Sequence, residues 1–311
     1  TGTSMKKIMD VFFFVFLTFC MLTNSSLSLA YAALGLRLWY EKMVPVLFPF
    51  MVLSGTLIRM GLVESLIRPI RPFFGKLFRI SDPAVYTILM GFLCGFPMGA
   101  RTTAEFRNRQ ELSVAEGQFL LAFCNNFGPV YFLGFVLPLL HRTLKLPYLM
   151  GMYGIPVIYG LFLRYTIYRT RLQDTSMVSK PVTQSSVRTS LPDALDDAVN
   201  AAGLSILRLG GYMIFFNLLN LLPGLFLHQS HLLAPLLEIT GGLQMLADRY
   251  PLYTLLLLPF GGLSGIAQTA ACIRNTGLSL KKYIIHKLVL TLLTAFYYLG
   301  WRLLSPDTFL L

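Results

Sequence analysis

Three polar interruptions in an otherwise apolar sequence carry the residues whose types and spacing could bind a ligand. The first reads GFPMGART from Gly95, the second is the pair Asn125 and Asn126, and the third reads GLSGIAQT from Gly262. Glycine and proline end or restart helices, and the freed amides at a helix start favour a carbonyl, hydroxyl or anionic group. The predicted substrate-binding residues are Gly95, Pro97, Gly99, Arg101, Thr102, Asn125, Asn126, Gly262, Ser264, Gln268 and Thr269.

Three of these positions admit a structural as well as a functional interpretation. An ionisable group at membrane depth is costly and often functional, yet Arg101 stands four residues before Glu105 and could pair with it on one helix. Asn125 and Asn126 could contact a ligand or ion, or simply form hydrogen bonds between helices. Gln268→Ala and Asn125→Ala are expected to abolish function without lowering membrane abundance.

The same sequence gives no case for an enzyme, a metal or a cofactor. Its histidines form no Ser-His-Asp arrangement, and neither paired carboxylates nor a phosphate-cradling glycine loop is present. The four cysteines lie inside apolar segments without a second ligand at metal-binding spacing, which favours buried, inert thiols. They are Cys20, Cys94, Cys124 and Cys272.

Composition predicts that lipid is the main solvent of the surface. Of the 311 residues, 55% are hydrophobic and 13% are charged, whereas about a quarter of the residues of a soluble domain are charged. The formal net charge is +12, and the basic residues that cause it lie mostly in short stretches between apolar runs. That placement is typical of the positive-inside rule, so a nucleic-acid partner is not expected.

The elements that must position the polar residues are membrane helices of about 20 residues. Residues 8–30 could be a signal peptide or a first span, and a retained span is favoured. Two apolar stretches, 84–110 and 251–277, are interrupted by glycine and small polar residues, and predict pairs of half-helices around an unwound turn. The remaining full spans are expected at 43–60, 117–140, 146–166, 209–228 and 282–301.

Residues 86–108 and 253–275 align without a gap, and they share glycine, threonine and an Arg-Asn pair at equivalent positions. This internal repeat, with an odd number of crossings between its copies, predicts an all-α polytopic membrane protein of two inverted repeats, each with a broken or re-entrant hairpin. With both termini in the cytoplasm, the expected segments are an N-terminal segment (1–30), a first repeat with its connecting span (31–166), a basic cytoplasmic linker (167–193) and a second repeat (194–311).

The motifs GFPMGAR, FCNNFGP and FGGLSGIAQTAACIRNTGLS resemble those of the YlbJ-type sporulation integral membrane proteins, within the nucleoside-recognition or Gate-domain group. The resemblance covers about residues 31–301. It implies a multi-pass protein of the bacterial cell membrane with paired Gate repeats and a part in spore formation. It also implies a substrate-facing role for Gln268, whereas the acidic pairs of concentrative nucleoside transporters are not apparent.

The expected function is therefore a transporter-like carrier that moves a small polar solute, nucleoside-like or other, by alternating access around the two hairpins. The alternative is a non-transporting membrane scaffold, or a subunit of a complex needed for spore formation. In that case the linker at 167–193 and the basic stretch at 67–79 would matter more than the turns. The expected partners are the lipid bilayer, a small polar solute and other sporulation membrane proteins.

Overall fold

The structure, a computed structural model, describes residues 2–142, 145–172, 190–228, 230–247 and 249–304. Within these ranges every regular element is a helix, apart from one isolated antiparallel bridge between Gly95 and Phe127. A helix satisfies its own backbone hydrogen bonds, as a lipid environment requires. Five helical segments of the described chain are long and apolar enough to cross a membrane: Ser25–Arg59, Leu146–Tyr165, Leu191–Phe226, Pro251–Cys272 and Leu280–Leu304.

The helices are numbered along the chain, and short π-helical turns join some of them into longer rods. In the first part they are α1 (Gly2–Thr23), α2 (Ser25–Leu38), α3 (Val44–Arg59), α4 (Val63–Ile67), α5 (Arg71–Phe78), α6 (Asp82–Leu93), α7 (Met98–Asn108), α8 (Val114–Phe123), α9 (Pro129–Tyr131), α10 (Leu137–Leu139), α11 (Leu146–Leu149) and α12 (Ile155–Tyr165). After the linker they are α13 (Leu191–Leu218), α14 (Leu221–Phe226), α15 (Ala234–Leu237), α16 (Ile239–Leu246), α17 (Pro251–Leu257), α18 (Gly262–Cys272) and α19 (Leu280–Leu304). The π-helical turns are Trp39–Met43, Phe132–Val136 and Met150–Gly154, and a 3-10 turn is Ser230–Leu233.

Three expected spans differ from the observed helices. The segment 8–30 is not one span, because α1 ends at Thr23 and a new helical rod runs from Ser25 through Arg59. The span expected at 117–140 is interrupted between α8 and α9, where Gly128 precedes the proline that starts α9. The span expected at 209–228 begins much earlier, at Leu191.

The early start of α13 has a local cause in the sequence. Ser190 stands at the cap position, its hydroxyl accepts a hydrogen bond from the Asp193 amide at 3.4 Å, and a proline follows in the first turn. Both features are typical helix-start signals. The last residues of the expected linker at 167–193 are therefore helical, and its residues 173–189 lie outside the described part of the chain.

The two interrupted stretches form half-helix pairs at the positions that their glycines indicate. Helices α6 and α7 are separated by a turn in which Gly95 has φ +79°, and α17 and α18 by a turn in which Gly261 has φ +76°. Positive φ is the region that glycine adopts at little cost. The turns therefore break each stretch where a side chain would be strained.

The two parts of the chain follow the same order of a long helix, short helices, a half-helix pair and a closing helix. The long helices α3 and α13 pack together, as do α7 with α18 and α8 with α19. Alanines at four-residue spacing in α13, including the fully buried Ala198 beside Gly55 of α3, allow a close approach. The inverted relation of the two parts stays a prediction.

Candidate solute-binding site

The first half-helix turn lies directly against the break between α8 and α9. Gly95 pairs with Phe127 in the isolated bridge, and the Phe96 amide donates to the Asn126 carbonyl oxygen at 2.5 Å. A Cβ on Gly95 would overlap the backbone nitrogen of Gly128. Two unwound segments thus satisfy part of each other's backbone hydrogen-bonding groups, as buried unwound backbone requires.

Asn125 joins both half-helix pairs to the last helix. Its Oδ1 accepts from the Ala100 amide in the first turn of α7 at 3.1 Å. Its Nδ2 donates to Thr269 Oγ1 in α18 and to the Tyr283 hydroxyl in α19, each at 3.1 Å. Because Asn125 is 1% exposed and both its side-chain polar atoms are used, it is a joint between helices in this conformation.

Lys287 of α19 reaches the same joint from the other side. Its Nζ donates to the Asn125 carbonyl oxygen at 2.5 Å and to Asn126 Oδ1 at 3.1 Å, and lies 5.8 Å from the centre of the Tyr283 ring. The side chain is 4% exposed, and none of the ion pairs found among the described residues includes it. The buried Lys287 nitrogen is therefore held by two neutral oxygens and lies beside an aromatic ring.

A large cavity of about 470 Å³ lies between the long helices α3 and α13 and the two second half-helices α7 and α18. Four arginines and one glutamate line it, an excess of three positive charges: Arg59, Arg101, Arg109, Arg208 and Glu105. Both parts of the chain contribute, since Arg208 comes from α13 and the other four residues from α3, α7 and the residue that follows α7. This is called the arginine cavity below.

The charges around the arginine cavity are not paired as the spacing in α7 suggested. Glu105 lies 3.4 Å from Arg109 Nη2, one turn further along, and not in an ion pair with Arg101. Arg101 Nη1 is buried and has no hydrogen-bond partner in the described part of the chain, and Arg59 Nη1 donates to the carbonyl oxygen of Gly55 at 3.0 Å. Arg59, Arg101 and Arg208 thus have no carboxylate at ion-pair distance among the described residues, an arrangement that suits an anionic guest.

Gln268 stands between the arginine cavity and a second, small cavity of about 30 Å³, and lines both. Its Nε2 donates to Ser264 Oγ at 3.0 Å, within α18. The residue is 7% exposed, and its Oε1 is buried with no hydrogen-bond partner among the residues that the structure describes. The side chain is thus held by one contact and leaves one polar atom available at the boundary of two cavities.

The other predicted site residues fall into two groups. Pro97 lines the arginine cavity with Arg101 and Gln268. The rest support the turns and helix contacts: Thr102 Oγ1 donates to the Met98 carbonyl oxygen at 2.8 Å, Gly99 packs against the Cys124 carbonyl, and Gly262 lies against α15. The predicted substrate-binding residues therefore fall into those that line the cavities and those that stabilise the interruptions between helices.

Two buried ionisable residues at this centre were absent from the predicted set. Glu238 lines the small cavity, and Lys287 binds the Asn125–Asn126 segment. A signal for Lys287 exists in the sequence, because Tyr283, Lys287 and Leu290 recur on one buried face of α19. Glu238 precedes a Thr-Gly-Gly helix start, which indicates only a cap.

These elements define an integral membrane protein with several apolar helices and a polar centre between half-helix turns. Comparison with known families agrees with this class, since residues 41–139 match the Gate family, described as nucleoside recognition. The chain is also 27% identical over 319 residues to the sporulation integral membrane protein YlbJ of Bacillus subtilis (strain 168), covering 89% of this chain and 78% of that protein. The resemblance that the three motifs indicate is thereby confirmed. No solved structure matches the chain.

Proposed function

We propose that this chain is a membrane carrier of a small anionic solute and acts in spore formation. The observation that carries the proposal is the arginine cavity, with its excess of three positive charges and its unpartnered Arg101 nitrogen. The part in sporulation rests on the similarity to YlbJ. The chemical class of the solute follows from the groups that the four arginines of the cavity can bind.

A buried guanidinium without an acceptor is costly, because desolvation is not repaid by a hydrogen bond. Carboxylates and phosphates repay it, since they accept two parallel N–H bonds from one arginine. A neutral nucleoside offers no charge to Arg59, Arg101 and Arg208. An anionic solute, with carboxylate or phosphate groups, therefore fits the cavity better than an uncharged one.

The volume of the cavity supports the same class of ligand. About 470 Å³ falls within the range of roughly 300–1,000 Å³ that small-molecule pockets occupy. Ser205, Tyr212 and Gln268 add neutral hydrogen-bonding groups to its wall. The site can thus bind the charged ends of a small molecule by arginine and its neutral part by these side chains.

Movement of the solute across the membrane requires that the two half-helix pairs, α6–α7 and α17–α18, change their relative positions. The Asn125 joint connects the start of α7 to the middle of α18 and to α19. In carriers with repeated folds, rocking of one part against the other opens the site alternately to each side. We infer that rearrangement at this joint accompanies such a step.

The test is a thermal-shift screen of the full chain in detergent. The panel contains small dicarboxylates, dipicolinate, inorganic phosphate and uncharged nucleosides. A ligand that binds the native state raises the apparent melting temperature by mass action. We expect a saturable rise with one class of anion, its loss in Arg101→Met, and its retention in Arg37→Met, which removes an exposed arginine outside the cavity.

A rise with nucleosides and none with anions would contradict the proposed solute class. No rise with any compound, together with loss of sporulation when only residues 67–79 or the linker are replaced, would favour the scaffold instead. Residues 67–79 include α5, whose Phe78 is fully buried, so only their exposed positions should be replaced in that test.

A further inference from the structure

The small cavity beside the arginine cavity has a different chemistry. It measures about 30 Å³ and is lined by Phe96, Gly128, Glu238, Thr240, Gly261 and Gln268, among others. A cavity of this size holds about one or two water-sized particles. It is too small for an organic anion, but large enough for a monovalent cation without its full hydration shell.

Glu238 is the acidic group of this cavity. The residue is 3% exposed, and its carboxylate accepts hydrogen bonds from the amides of Thr240 at 3.2 Å and Gly241 at 2.6 Å, and from Asn217 Nδ2 at 3.0 Å. All three donors are neutral. The ion pairs of the described chain do not include Glu238, so its negative charge, where present, is buried without a cation.

Two neighbouring amide oxygens also lack partners. Asn217 Oδ1 is buried without a hydrogen bond, although the same side chain donates to Glu238. Gln268 Oε1 is buried without one as well, and Gln268 shares the cavity with Glu238. Carboxylate and amide oxygens are the donors that hard cations prefer. The described residues contain no group of three or more His, Cys, Asp or Glu for a divalent or transition metal.

We propose that Glu238, with the side-chain oxygen of Gln268, binds a monovalent cation, either Na⁺ or a proton. Because Gln268 lines both cavities, occupation of the small cavity changes the wall of the arginine cavity. The cation site stands on its own contacts. Its use as a coupling site, in which the cation travels with the anion, rests on the proposed carrier function.

Other titratable groups share this cavity and must be separated from Glu238. They are Lys42, which is exposed, Cys94 and Tyr131. The Tyr131 hydroxyl donates to Thr240 Oγ1 at 3.2 Å, so it stands one contact away from the carboxylate. Lys42→Met, Cys94→Ser and Tyr131→Phe therefore serve as comparison variants for any response to pH.

The first experiment uses the wild-type chain in detergent with no organic anion added. A hydrophobic carbodiimide labels protonated carboxyl groups in apolar surroundings, and mass spectrometry of the peptides reports the rate at Glu238. Glu116 is a matched internal control, since it is also buried, at 1% exposure, but bonds Ser81 and lines neither described cavity. If Na⁺ is the ligand, NaCl slows labelling of Glu238 several-fold relative to choline chloride at equal chloride, and leaves Glu116 unchanged.

The second experiment measures the melting temperature in NaCl, KCl and choline chloride, and from pH 5 to pH 8. A sodium site predicts a saturable rise with NaCl that Glu238→Gln and Gln268→Met abolish. A proton site predicts a melting temperature that falls as pH rises, because the buried carboxyl must then lose its proton. Glu238→Gln reduces that dependence and leaves the part due to other buried carboxyls such as Glu116, whereas Lys42→Met, Cys94→Ser and Tyr131→Phe keep it in full.

Equal labelling of Glu238 with and without NaCl, combined with a pH response that Glu238→Gln leaves unchanged in size, would overturn the proposal. Arg101→Met separates failure of the cation site from failure of the carrier function, because Arg101 lines the arginine cavity and not the small cavity. A sodium or pH response that persists while no organic anion binds would support the cation site and contradict the anionic solute. A rise in melting temperature with an organic anion, without any response to sodium or pH, would support the anionic solute and contradict the cation site.

Discussion

Replacing Asn125 by alanine is expected to lower the free energy of unfolding by about 2–3 kcal/mol. The side chain makes three buried hydrogen bonds, to Ala100, Thr269 and Tyr283, each at 3.1 Å. Such bonds contribute about 0.6 kcal/mol each in a membrane protein and about 1 kcal/mol each in protein interiors. The Ala100 amide also lies in the first turn of α7, where no helical carbonyl is available to it, so the loss should not fall below this range.

The assay is reversible unfolding of the purified protein by SDS, compared with Thr269→Val and Tyr283→Phe. Each of these removes one of the three bonds and should cost about 0.6–1 kcal/mol. In the Asn125→Ala background, Tyr283→Phe should cost less than it does alone, because one of the two side-chain partners of its hydroxyl, Asn125 and Thr269, is already gone. A loss below about 0.5 kcal/mol for Asn125→Ala, within the range of surface substitutions, would refute the interpretation of Asn125 as a joint.

Two further predictions concern the packing of the same centre. Gly99→Ala should lower the free energy of unfolding by about 1–3 kcal/mol, because its Cβ would overlap the Cys124 carbonyl. Its control, Gly203→Ala in α13, has open space around it and should be neutral or slightly stabilising. SDS unfolding measures both variants, and equal effects would contradict the close approach of Gly99 to Cys124. Gln118→Leu removes the paired bonds between Gln118 and the Ser279 backbone, at 2.8 and 3.3 Å, and should cost about 1–3 kcal/mol. The exposed Gln244→Leu is its control in the same assay, and an equal loss in both variants would be evidence against that contact.

The breaks in the helices could be predicted from sequence because their causes are local. Glycine at positive φ and proline at a helix start act through their own backbone geometry, and both are visible as residue types around Gly95 and Gly261. Arg101 was recognisable for a similar reason, since a charge inside an apolar run is costly wherever the chain folds. The cavity places Arg101 and Gln268 on one wall, although their role as binding residues stays a prediction.

The partners of these residues could not be predicted, because they depend on contacts between distant parts of the chain. Lys287 bonds the Asn125 segment across 162 residues, and Arg208 reaches the arginine cavity only because α13 packs against α3. The sequence also suggested that Asn125→Ala would leave abundance unchanged. The hydrogen bonds of Asn125 predict a loss of stability instead, so Gln268→Ala is the better test of ligand contact.

We propose that the protein carries an anion across a membrane and binds it in the arginine cavity. The most direct measurement is uptake of a radiolabelled small dicarboxylate into proteoliposomes that contain the full chain, with Arg101→Met and Arg37→Met side by side. We expect saturable uptake by the wild type and by Arg37→Met, and a loss of at least tenfold in Arg101→Met, which corresponds to about 1.4 kcal/mol of binding free energy. Equal uptake by wild type and Arg101→Met, with equal protein inserted, would contradict it.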